Sequence, residues 1–144
     1  MIVFMLGYVA NTDLDWFSFL SAQPNLEEVN FWNPSDRTNN LSPSGSVWFF
    51  RLKAPVNMIS GFGIVARYSH LPEWLAWECF GYGNGFADLE SFQGKLRAIR
   101  DKNKMKREPG AQQIGCLILT QPVFFPRPMW LPQPDDWSPN NLTY

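Results

Sequence analysis

Histidine is almost missing from this sequence: among 144 residues only His70 carries an imidazole. One histidine cannot build a two-histidine metal site, and no serine or cysteine stands in a GxSxG or comparable nucleophile context. Cysteine is scarce as well. Cys79 and Cys116 have no CxxC neighbour, so neither a zinc site nor a disulfide framework is indicated, and both are expected as buried thiols. Charged residues make up 17% of the chain, below the roughly one quarter usual in globular proteins. With 12 Lys+Arg against 13 Asp+Glu the net charge is -1, which excludes a global attraction to nucleic acid or to an anionic membrane. Long apolar runs are absent too: Met1 to Leu6 is short and has no basic leader, and nothing approaches the ~20 residues of a membrane span. These absences lead to the expectation of a soluble, cytoplasmic protein with no membrane partner, no metal, no cofactor and no catalytic constellation of its own.

What is abundant is aromatic and apolar: seven Trp, twelve Phe and a hydrophobic fraction of 45%, enough to fill one core and too much for a disordered chain. A single domain over residues 1–144 is expected. The opening strand ends near Val9-Ala10, and Asn11-Thr12-Asp13 offers capping oxygens before a short helix carrying Leu14, Trp16, Phe17 and Leu20. Glu27 to Trp32 reads as a second strand, and the Pro, Ser, Asn and Asp content between Asn33 and Gly45 reads as a loop. Ser46–Lys53 and Met58–Tyr68 form the expected hairpin, with Gly61 and Gly63 marking a bulge, a bend or a close backbone approach. A helix is expected from Ser69 and Pro72 through Phe80, broken by Gly81-Tyr82-Gly83-Asn84-Gly85. That glycine string follows a helix and lacks a lysine, so it reads as a helix terminator and not as a phosphate loop. Leu89, Phe92, Leu96 and Ile99 then stripe an amphipathic helix over Asp88–Lys102. Ile114 to Thr120, apolar on both sides, is the expected buried strand, and six later prolines make an extended, wrapping tail.

Charge is unevenly distributed. Lys95, Arg97, Arg100, Lys102, Lys104, Lys106 and Arg107 put seven of the twelve basic residues into thirteen positions, with Asp101 the only acid among them. A solvated helix end is one reading of this stripe. A phosphate-contact surface, extended by Arg51, Lys53 and Arg67, is the other; it gives salt-dependent affinity without sequence preference. The paired acids Glu27-Glu28 and Asp135-Asp136 stand in polar segments without a third ligand and read as solvated. Trp16, Trp32, Tyr68 and Trp77 belong to an aromatic excess that is mostly core. Beside a polar loop, however, an aromatic ring with an adjacent amide or acid can stack a planar base and read its edge. Asn30-Phe31-Trp32-Asn33 suits that role best, with Asn11 and Asp13 as a second source of polar groups.

At these residues the chain resembles the N-terminal domain of HNH restriction endonucleases, a member of the PUA-like superfamily that includes EVE, YTH, ASCH and SRA domains. The carriers are Asp15-Trp16, Glu28-Val29-Asn30-Phe31-Trp32, Trp48-Phe49-Phe50-Arg51-Leu52-Lys53, Ile59-Ser60-Gly61-Phe62-Gly63, Ala76-Trp77-Glu78-Cys79-Phe80-Gly81 with Asn84-Gly85, Ile114-Gly115-Cys116 and Phe124-Phe125-Pro126. The resemblance implies an α+β fold, a small curved PUA-like β-barrel with flanking short helices. It also implies DNA with a modified base as the partner, the base flipped into a pocket of Asn11, Asp13, Trp16, Asn30, Phe31, Trp32, Asn33, Tyr68 and Trp77. Phosphate contacts then fall to Arg51, Lys53, Arg97, Arg100, Lys102, Lys104, Lys106 and Arg107. In that family the nuclease, and with it a homodimer, comes from a linked downstream module. Two other readings remain open at this point: an RNA-binding PUA-like module, and a protein-interaction domain that binds no nucleic acid.

Overall fold

A computed structural model describes residues 7–35, 40–103 and 113–138. Lys104, Lys106 and Arg107, expected as phosphate contacts, lie outside the described residues. Six strands and three α-helices appear among those described: β1 Gly7–Thr12, α1 Leu14–Ser21, β2 Glu28–Asn33, β3 Val47–Leu52, β4 Met58–Pro72, α2 Glu73–Phe80, α3 Leu89–Lys102, β5 Gln113–Phe124 and β6 Leu131–Pro132. A 3-10 turn, Gly81–Asn84, separates α2 from the approach to α3. None of the helices is long and apolar enough to cross a membrane.

The strands join in the order β1-β3-β4-β5-β2, with β6 added to β4. β1 runs parallel to β3, and the other pairs are antiparallel. β5 explains the arrangement best. Its inner residues Leu117 and Leu119 meet Trp16, Phe17 and Leu20 of α1, together with Phe50 and Leu52. The alternate residues Ile114, Cys116 and Ile118 meet Ala76 of α2 and Phe92 and Leu96 of α3. A strand covered on both faces needs apolar residues at every position, and this is why Ile114–Leu119 shows no alternation.

Curvature comes from β4. Its fifteen residues change register against β5 between Phe62 and Ile64 and again between Val65 and Arg67. A Cβ at Gly61 would overlap the carbonyl oxygen of Val123, so the glycine permits a close backbone approach where the sheet curls. The helix expected from Ser69 begins only at Glu73. Tyr68–Pro72 remain in β4 because Gln113–Leu117 of β5 supply a ladder for them, and a tertiary partner overrides a local helix-start signal.

The remaining expectations meet mixed outcomes. Asp88 caps α3 by accepting from the Ser91 amide at 2.7 Å. Among the two cysteines Cys116 is buried, whereas Cys79 is exposed on α2, correcting the expectation of two buried thiols. The proline-rich tail does wrap the body: β6 pairs with Met58 and Ile59, and Trp137 Nε1 donates to the carbonyl oxygen of Val9 at 3.1 Å.

Candidate functional site

Between the end of β1, the end of β2 and one face of α3 lies a cleft of about 480 Å³. The volume falls within the ~300–1,000 Å³ range of small-ligand sites. Each wall follows from local structure. Phe31 and Trp32 stand next to each other near the end of β2; Phe31 packs on the inner core, and Trp32 packs both on it and on the cluster that holds Phe92 and Leu96 of α3. Lys95, Ala98, Ile99 and Lys102 share the cleft because residues three and four apart lie on one helix face.

Trp16, Phe31 and Trp32 make the aromatic side. Trp16 is buried in α1, donates from Nε1 to the Asn30 carbonyl oxygen at 3.3 Å, and meets Phe31 edge-on at 5.3 Å between centroids. Trp32 is half-buried; its ring packs on Phe92, and its Nε1 donates to the carbonyl oxygen of Asn84 at 2.9 Å. Both indoles are therefore held by their N–H groups and by ring contacts.

The polar side is built around Asp13. This residue occupies the N-cap position of α1, and its carbonyl oxygen closes the first turn with Phe17. Its carboxylate makes no cap hydrogen bond. Instead Oδ1 lies 3.1 Å from Lys53 Nζ and Oδ2 lies 3.8 Å from Lys95 Nζ. All three groups are partly exposed, and such pairs contribute only ~0–1 kcal/mol. Lys102 adds a third ammonium to the lining.

Of the expected pocket residues, the fold brings Asn11, Asp13, Trp16, Phe31 and Trp32 together at this cleft. Asn30 sits beneath it, fully buried, donating to Asn84 Oδ1 at 2.9 Å and to Cys116 Sγ at 3.4 Å. Asn33 turns outward and accepts from the Ser35 amide. Tyr68 lies over Gly115 with its ring against His70, and Trp77 packs on the cluster between the sheet and α2 and α3; neither lines the cleft.

The expected phosphate contacts divide in the same way. Lys53 and Lys102 line the cleft, and Arg97 is exposed on α3 outside its lining. Arg51 and Arg100 require correction, because both are buried. Arg51 donates to Asn11, Asn57 and Gln133 and lies 3.7 Å from the Trp137 ring centroid. Burial lowers its pKa from the ordinary value. Arg100 forms an ion pair with Glu73 and donates to the Pro34 carbonyl oxygen at 3.3 Å. Both guanidiniums fasten segments of the fold to one another.

Sequence reasoning missed Asn84 and the Gly81–Gly85 turn as the anchor of the aromatic wall. Asn84 is fully buried and donates to the carbonyl oxygens of Ala76 and Gly81 at 3.0 and 2.9 Å. The available signal was a lone asparagine between glycines just after an aromatic helix. Among the described residues no group of three His, Cys, Asp or Glu side chains is gathered to hold a metal ion.

Solved structures of an ASCH protein from Zymomonas mobilis share this architecture. The unmutated protein aligns with a TM-score of 0.58 and 12% identity over 96% of this chain and 85% of that one. A single-substitution mutant of it aligns with a TM-score of 0.59 and 11% identity, over 96% and 88% of the two chains. At this identity the likeness shows the fold: an α+β, PUA-like small barrel. No family model matches the sequence, and no curated protein matches it.

Proposed function

We propose that the protein is a nucleic-acid-binding module whose cleft receives one unstacked base, with DNA carrying a modified base as its ligand. The observation that carries this reading is the meeting of Trp16, Phe31 and Trp32 with Lys53, Lys95 and Lys102 around one cleft. Aromatic faces stack bases of any sequence, and ammonium groups at the mouth meet the flanking phosphates. Extruding a base from a duplex costs a few kcal/mol, which disfavours normal pairs and favours a modified or weakly paired base. The chain acts here by binding and not by catalysis. In the full form of this reading it is a cytoplasmic specificity module, with cleavage and dimerisation supplied by a linked HNH nuclease of a modification-dependent restriction system.

A second reading, RNA, gains support from the withdrawal of Arg51 and Arg100 into the interior. Three lysines at one mouth suit a single-stranded loop better than a long duplex groove, and sequence-specific RNA recognition targets such loops.

Fluorescence anisotropy with matched oligonucleotides tests both. The expected result is salt-dependent binding, tighter for DNA with a modified base than for plain DNA or RNA of the same sequence. Equal affinity for modified and plain DNA ends the modified-base reading, and tighter RNA binding replaces DNA by RNA. Absence of binding to all of them overturns the proposal in favour of a protein-interaction domain.

A further inference from the structure

Arg51 lies between the cleft and the C-terminal tail. Its Nη1 donates to Asn11 Oδ1 at 2.7 Å, its Nη2 to Asn57 Oδ1 at 2.7 Å and its Nε to Gln133 Oε1 at 2.9 Å. A guanidinium has five donors and no acceptor. The atom that Asn11 turns toward it must therefore be the amide oxygen, and the NH2 group must point the other way. Asn11 lines the cleft at the exposed end of β1. Among the described residues, no protein group accepts a hydrogen bond from its Nδ2.

The one carboxylate of the lining is already engaged: Asp13 supplies it, and both of its oxygens face ammonium groups, of Lys53 and Lys95. Toward a bound base Asn11 therefore offers an oriented amide NH2 beside the lysine ammoniums, while the amide of Asn103 on the α3 side can serve as donor or acceptor. A base with an exocyclic carbonyl oxygen complements that face, whereas an exocyclic amino group brings donor against donor.

We propose that Asn11 is a specificity-determining residue that donates to an exocyclic carbonyl oxygen, so that the cleft takes keto bases of the guanine and thymine or uracil type over their amino counterparts. Arg51 is its positioning residue, held by Gln133 and Trp137 of the tail. The inference rests on the cleft being a base receptor, and it adds the chemical class of base and the group that reads it.

The test uses single-stranded oligonucleotides that differ at one position: guanine against 2,6-diaminopurine, thymine against 5-methylcytosine, and an abasic site. The wild-type protein is expected to prefer the keto member of each pair by about tenfold, the effect of one mismatched buried hydrogen bond. Asn11→Asp retains the Arg51 pairing through one oxygen and turns the other, an acceptor, toward the cleft; the preference is expected to reverse. Asn11→Ala removes the donor without adding an acceptor and is expected to abolish the preference. Arg51→Gln, whose amide can present either atom to Asn11, is expected to shrink the keto-to-amino ratio, a quantity that does not depend on the fraction of protein folded. Equal wild-type affinity within each pair, or a keto preference that survives Asn11→Asp and Asn11→Ala, overturns the inference. Equal affinity for base-containing and abasic strands overturns the base-receptor reading itself, so the two failures are distinct.

Discussion

Trp32 donates its indole N–H to the backbone carbonyl oxygen of Asn84 at 2.9 Å, while the side chain of Asn84 accepts from Asn30 on the same strand at 2.9 Å. The aromatic wall of the cleft is thus hung from a turn 52 residues away in sequence. Asn84→Ala removes the oxygen acceptor for Asn30 Nδ2 and the donors to the carbonyl oxygens of Ala76 and Gly81; Asn30, Asn84 and Ala76 are fully buried. The expected loss is about 3 kcal/mol of unfolding free energy, the range for a broken buried network. Urea denaturation measures it.

Trp32→Ala should weaken binding of a base-containing strand by about ten- to a hundredfold, matching ~1–3 kcal/mol for one stacked base. Trp32→Phe keeps a six-membered aromatic ring but loses the N–H and the fused ring, so binding that it retains over Trp32→Ala measures what one ring contributes by stacking without the anchor to Asn84. Binding of both variants at wild-type strength would remove Trp32 from the site.

The lysines of the cleft and the buried arginines should behave differently. Replacing Lys53, Lys95 and Lys102 together by glutamine is expected to reduce the slope of log affinity against log salt by about 2, at ~0.7 per phosphate contact on a single strand. Arg51→Leu instead leaves three amide oxygens without their donor. It should lower unfolding free energy by about 2–4 kcal/mol. A salt titration paired with a denaturation curve on each variant distinguishes the two roles.

Acid should loosen α3 at its start. The Asp88 carboxyl is held below its usual pKa by the hydrogen bond from the Ser91 amide. Its contribution is therefore complete above the unfolded-state carboxyl pKa and disappears as pH falls through the lower, folded value. Hydrogen exchange at Ser91 should be faster in Asp88→Ala than in wild type at neutral pH, and the difference should vanish in acid.

The two thiols should report separately. Cys79 is exposed, whereas burial pushes the Cys116 pKa up to about 11. The thiolate is the reactive form, so one thiol per chain should label at neutral pH and the second only on unfolding. Labelling of Cys116 in native protein would contradict the buried β5.

Much of this molecule is legible before any coordinates. Periodicity marks α1 and α3, and the unbroken apolar run marks β5 as covered on both faces. These properties are local or compositional, and local spacing reports which residues of one element share a face. It does not report what covers that face. Arg51 and Lys53, two residues apart on β3 and its turn, look alike in sequence, yet one is sealed under Trp137 and the other stands exposed at the cleft. Likewise the tail's Gln133 and Trp137 reach Arg51 only because β6 pairs with β4. Long-range strand pairing, which no window of sequence contains, decided which cations were buried as structural ties and which were left beside the aromatic wall.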